Sequence, residues 1–95
     1  MADKQKENQI QIADNIPGAE YSNVVQVNHN QEEFQLTFLS IAGPSGRVVS
    51  KVITTPSHYK RLIAAMKDNL KKYEEQFGEV KETIAINEKE IGFKI

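Results

Sequence analysis

The stretch TTPSHYKRLIAAMKDNLKKYEEQFG, residues 54–78, decides the fold. Thr55 followed by Pro56 is a helix start. The threonine hydroxyl can accept a first-turn N–H, and proline at the first helical position gives up no bond it could have made. Phe77-Gly78 is the matching stop, because glycine enters the left-handed region at little steric cost. At 100° per residue, Tyr59, Leu62, Ile63, Met66, Leu70, Tyr73 and Phe77 share an arc of roughly 100°, the width of a core-facing stripe. No charged residue enters that arc. A lone amphipathic helix needs a surface to pack on, so either the chain supplies a sheet or a second copy supplies a helix. A charge at the centre of the stripe, Met66→Asp, is expected to unfold the domain.

Upstream, the chain offers a sheet. Tyr21 to Asn28 (YSNVVQVN) is rich in valine, and Asn28 to Gln31 has the composition of a hairpin connection. Glu33 to Ile41 (EFQLTFLSI) alternates most clearly, with Phe34, Leu36 and Phe38 on one face and Gln35 and Thr37 opposite. Gly43 to Gly46 reads as a loop, and Arg47 to Thr54 as a third strand running straight into the helix. Its faces are equally apolar, Val48/Val52 against Val49/Ile53, so the pattern leaves open which one is buried. Gln9 to Ala13 (QIQIA) alternates enough for a short edge strand, and Asn15 to Gly18 is a turn signal. Thr83 to Ile86 and Ile91 to Ile95 have strand composition, readable as a terminal hairpin or as an arm that pairs with another subunit.

The expected fold class is α+β: an antiparallel β-meander of three main strands, with extra terminal strands available, and one long amphipathic helix packed across it. Residues 1–8 are expected to be a flexible N-terminal tail, 9–78 the sheet-plus-helix core, and 79–95 a C-terminal β-arm or hairpin.

Ninety-five residues bound this to one domain with a small core. The absence of cysteine excludes disulfides and thiolate metal sites. The polar first residues, MADKQKENQ, contain no leader-like apolar run, and no stretch approaches membrane-spanning length, so the expectation is a cytoplasmic protein without a membrane partner. A net charge of −1 argues against a generally basic nucleic-acid binder, although residues 56–78 hold five basic and three acidic side chains.

Taken together, YSNVVQVNHNQEEFQLTF, a proline-glycine loop, and VVSKVITTPSHYKRLIAAMKDNLKKYEEQFGEV resemble a small prokaryotic family of unassigned function, domain of unknown function 3467. The marks are Tyr21-Ser22-Asn23, Glu33-Phe34, Thr55-Pro56-Ser57-His58 with Lys60, Asn69-Leu70, Tyr73-Glu74 and Phe77-Gly78, and they cover about residues 20–80. The sequence departs from the pattern at Thr37, where an acidic residue is expected, and at Thr55, where serine is expected. The resemblance implies a cytoplasmic β-meander-plus-helix domain and brings no catalytic residues.

The residues themselves point away from catalysis. His58 and His29 are the only histidines, with no HxxxH spacing for a metal, and each has a plainer reading: His58 at the margin of the stripe, His29 in a turn. Ser57 and His58 are sequence neighbours and diverge by about 100° on a helix, so they do not form a nucleophile–base pair. No phosphate-binding glycine motif opens a helix. No catalytic residue, metal or cofactor is therefore expected. Lys60, Lys67 and Lys71 form one flanking row that could follow phosphates, though a solvated face is the commoner meaning of such a row. Phe34 and Phe38 would serve as base-stacking platforms only if their face were open. The leading expectation is a non-enzymatic, oligomeric protein-interaction module, a homodimer with an unidentified protein partner, in which Ile91, Phe93 and Ile95 promote self-association. The alternative is an accessory nucleic-acid-binding protein that uses the lysine row.

Overall fold

Two hairpins build the sheet. In the computed structural model, which describes residues 9–83 and 91–92, β1 (Val24–His29), β2 (Phe34–Ala42) and β3 (Ser45–Thr54) form an antiparallel meander in the order β1-β2-β3. Val24 lies opposite Leu39 and His29 opposite Phe34. The connection falls at residues 30–33, two positions later than the composition suggested. There the Asn30 Oδ1 accepts the backbone N–H groups of Glu32 and Glu33, at 2.8 and 3.0 Å, and the Asn30 N–H donates to the Glu33 carbonyl. An asparagine that caps its own turn in this way fixes where the strand ends. His29 stays in β1, its ring 5.4 Å from that of Phe34.

The second hairpin closes on Gly43-Pro44 alone, with Ala42 opposite Ser45, so Ser45 and Gly46 belong to β3 rather than to a loop. Gly43 has φ 60°, and glycine at the first central position of a two-residue turn suits the twist of the flanking strands. Gly46 is needed for another reason. A Cβ there would stand 2.8 Å from Ile41 Cγ1 and 3.1 Å from the Ser40 carbonyl oxygen.

Ahead of β1, side chains take over the work of the ladder. Asn23 Nδ2 donates to the Ile41 carbonyl at 2.8 Å while its Oδ1 accepts the Ile41 N–H at 2.9 Å. The Ser22 hydroxyl donates to the Leu39 carbonyl at 2.8 Å. The Tyr21-Ser22-Asn23 mark thus seats the start of β1 without being strand itself. The edge strand expected at 9–13 is not formed, and Ile10, Ile12 and Ile16 are exposed. Alternation prepares two faces for a strand, but it supplies no ladder partner.

The core lies in β2, where Leu36 is 6% and Leu39 4% exposed. Thr37 is buried on the opposite face from Leu36, between its cross-strand neighbours Gln26 and Lys51. A bulge separates Phe38, opposite Ser50, from Leu39, opposite Val48, and leaves Val49 as the extra residue. Val52 therefore shares the face of Leu36 and Val48 that of Leu39, which is why a period-two reading of β3 cannot choose a side. Val48, Val52 and Ile53 all remain exposed.

The helix α1 (Pro56–Phe77) has the expected ends. Thr55 Oγ1 accepts the His58 N–H at 3.2 Å, and Gly78, at φ 97°, donates its N–H to the Glu74 carbonyl at 2.8 Å. Thr55 alone joins α1 to β3. Tyr59 stacks on Phe34 with ring centroids 4.0 Å apart and planes 5° from parallel. The α+β arrangement is as expected, but contact between helix and sheet is narrower than a helix laid across the whole sheet would make. No residue of α1 is buried, and Ile63, Met66, Leu70, Tyr73 and Phe77 are 38–66% exposed. The stack that joins α1 to the sheet lies in its first turn, and the stripe beyond it, from Ile63 on, stays open.

The proposed tail at 1–8 lies outside the described residues. So does most of the segment read as a terminal hairpin or arm: Ile91 is half-buried and Gly92 exposed, while Phe93 and Ile95 are among the residues not described.

Candidate interaction surface

The most distinctive surface is the stripe of α1, which is stacked on the sheet at Tyr59 and open from Ile63 to Phe77. Tyr59, Ile63, Met66, Leu70, Tyr73 and Phe77 alternate 4, 3, 4, 3 and 4 residues apart, the a/d alternation of a heptad seam, at a mean of 3.6 that an ordinary core-facing stripe shares. In heptad terms Ile63, Leu70 and Phe77 occupy a, and Tyr59, Met66 and Tyr73 occupy d. With Leu62 they are the stripe that the periodicity defines, for which either the sheet or a helix of a second copy was an expected cover.

One flank of the seam carries Lys60, Lys67 and Glu74 at the e positions, and the other carries Leu62, Asn69 and Gln76 at g. Past Gly78 the chain turns back, and the Val80 N–H donates to Glu74 Oε2 at 2.9 Å. This holds the Glu74 carboxylate beside the seam. Val80 then walls an open apolar groove of about 680 Å³ over Met66, Leu70 and Tyr73, with Ala65 and Asn69 at its margin. Tyr73 and Phe77 add an aromatic pair at the far end, centroids 4.9 Å apart.

Lys60, Lys67 and Lys71 are exposed along the helix. The ion pairs among the described residues, Lys72–Asp68 at 3.1 Å and Arg47–Glu20 at 3.5 Å, leave these three lysines out. Arg61 donates to the Ser57 hydroxyl at 2.9 Å, which occupies the one serine adjacent to a histidine in sequence. His58 is exposed, and its backbone N–H serves the cap. His29 and His58 sit on β1 and α1 respectively, and among the described residues no three His, Cys, Asp or Glu side chains form a group able to hold a metal. Phe34 lies under Tyr59, and Phe38 is half-buried, so neither is an open stacking platform. Among the described residues, no helix is long and apolar enough to cross a membrane.

Comparison with known proteins places the chain by sequence alone. No curated protein and no solved structure matches it significantly. The family profile described as "Protein of unknown function (DUF3467)" matches residues 1–82, extending through the N-terminal segment that the quoted motifs did not reach. That match spans most of the chain, and the protein belongs to the DUF3467 family.

Proposed function

We propose that the protein is a non-enzymatic, self-associating interaction module that acts in the cytoplasm as a homo-oligomer, most simply a dimer. The observation that carries this reading is the apolar seam of α1, regularly spaced and 38–66% exposed over Ile63 to Phe77. A run of large apolar side chains this long, flanked by polar residues, is costly to leave in water and is characteristic of a protein–protein contact. The open apolar residues of the sheet, Val25, Val27 and Val52, lie on the Phe34 face and extend the surface available to a further protein partner. Sedimentation equilibrium of the full chain tests the reading. Twice the 10.8 kDa chain mass is expected, falling toward 10.8 kDa on dilution. A mass of 10.8 kDa across the accessible concentration range would remove it.

A second reading has one observation in its favour. Three exposed lysines, Lys60, Lys67 and Lys71, share a flank of α1 and take no part in the ion pairs among the described residues. Such a row suits the phosphates of a nucleic acid bound as an accessory partner. Salt-dependent retention on single- and double-stranded probes tests it.

A further inference from the structure

Resting on the self-association reading, we propose that two copies pair through α1 as an antiparallel dimer whose dyad passes beside Asp68, with Lys60 of each copy facing Glu74 of the other.

The seam selects this register. About a dyad at Asp68, Met66 of one copy meets Leu70 of the second, Ile63 meets Tyr73, and Tyr59 meets Phe77. Every a residue finds a d residue and none is left over. A slip by half a heptad in either direction strands an aromatic residue, Tyr59 or Phe77, beyond the end of its partner. The groove over Met66, Leu70 and Tyr73 lies where this dyad runs, so the Met66 and Leu70 side chains of the second copy arrive at a hole already formed between α1 and Val80.

The flanks agree with the same choice. In an antiparallel pair the e positions of the two helices run beside one another. Lys60 then faces Glu74 twice by symmetry, and the Val80 N–H already fixes the Glu74 carboxylate at the edge of the seam. Lys67 lies near its own copy at the dyad, but this is an exposed like-charge contact with weak consequences in water. In a parallel pair the e positions would face g positions, and Leu62, Asn69 and Gln76 offer no charge to meet Lys60 or Glu74. The sheet gives an independent reason. It is attached at the N-terminal end of α1, where Tyr59 is already stacked on Phe34. Parallel helices would bring two sheets to the same end. Antiparallel helices bring the sheet-free end of one copy, Phe77, against the Tyr59–Phe34 stack of the other, and their opposed macrodipoles favour the arrangement.

Because the chain contains no cysteine, single-cysteine cross-linking reads the register directly. Lys60→Cys and Glu74→Cys are prepared separately, then tested alone and as an equimolar mixture with a short bismaleimide, with sedimentation mass measured alongside. The expected result is a dimer mass in every sample and a covalent dimer only in the mixture. Like positions in this register lie roughly 18–24 Å apart along the axis, at 1.5 Å per residue. A dimer mass without the mixed link overturns the antiparallel register and leaves self-association standing. A monomer mass for the unmodified chain overturns the self-association reading itself.

Discussion

Strand β2 and helix α1 each carry an apolar face that the sequence marks clearly, and the two meet different ends. In β2, Leu36 and Leu39 are 6% and 4% exposed, flanked on both sides by paired strands. In α1, Met66 and Leu70 are 53% and 46% exposed, though they are just as apolar. The difference is topological. A central strand gains neighbours from the hairpins that Asn30 and Gly43-Pro44 close within a few residues. A helix tied to its sheet by Thr55 alone keeps contact only through Tyr59 and the first turns. Local closure gives β2 its cover, whereas most of the α1 stripe has none among the described residues.

The largest expected effect tests the covered side. Leu36→Asp places a charge at the centre of the sheet with no partner, and should abolish the folded state. Leu36→Ala should cost about 2–5 kcal/mol by removing core contacts. Urea titration followed by circular dichroism separates the two, and a cooperative, near-normal transition for Leu36→Asp would show that β2 is not the core.

Met66→Asp should act differently, and here the structure revises the expectation drawn from the stripe alone. Met66 is half-exposed, so the new carboxylate stays hydrated in a single copy and the sheet should remain folded. Association should suffer instead, since the charge falls on the seam. The expected outcome is a monomer mass with the β-sheet signature retained. Loss of the sheet along with the dimer would mean that the sheet depends on the seam, and the comparison between β2 and α1 would collapse.

These two regions also show how much was legible in the sequence. The hairpin order, both ends of α1 and the membership of the stripe were readable because each rests on chemistry within a few residues: a threonine cap, a glycine stop, period-two and period-3.6 patterns. Turn placement slipped at His29 because the deciding group is the Asn30 side chain, whose bonds to Glu32 and Glu33 depend on geometry rather than composition. The faces of β3 were unreadable because the bulge at Val49 breaks the period on which such a reading relies. The QIQIA segment had the pattern of a strand but pairs with neither edge of the sheet, β1 or β3. The stripe itself was legible, but how much of it the sheet covers was not, because hydrophobicity marks a face without saying what lies against it.

A smaller effect is expected at that link. Thr55→Ala removes the acceptor for the His58 N–H and should cost about 1 kcal/mol, within the range of such caps. Since the cap adjoins the Tyr59–Phe34 stack, the loss should appear first as faster amide exchange in the first turn of α1, with β2 unchanged. Uniform acceleration across β2 would show that helix and sheet open as one unit.

The smallest effect on stability should come from Lys60, Lys67 and Lys71 replaced together by glutamine. All three are exposed, and glutamine keeps a good helix former at each site, so the unfolding midpoint should barely move. Binding is where this variant becomes informative. If the row contacts phosphates, salt-sensitive retention on nucleic acid should disappear, and unchanged retention would remove that reading. The antiparallel pair adds a sharper condition. It draws Lys60 toward Glu74 of the second copy and gathers Lys67 and Lys71 of both copies around the dyad, so the basic cluster becomes a property of the dimer. Met66→Asp, which leaves every lysine in place, should then weaken nucleic-acid retention nearly as much as the triple substitution does. If Met66→Asp loses the dimer but keeps full retention, the lysines act on a single helix, and the seam and the row serve separate purposes.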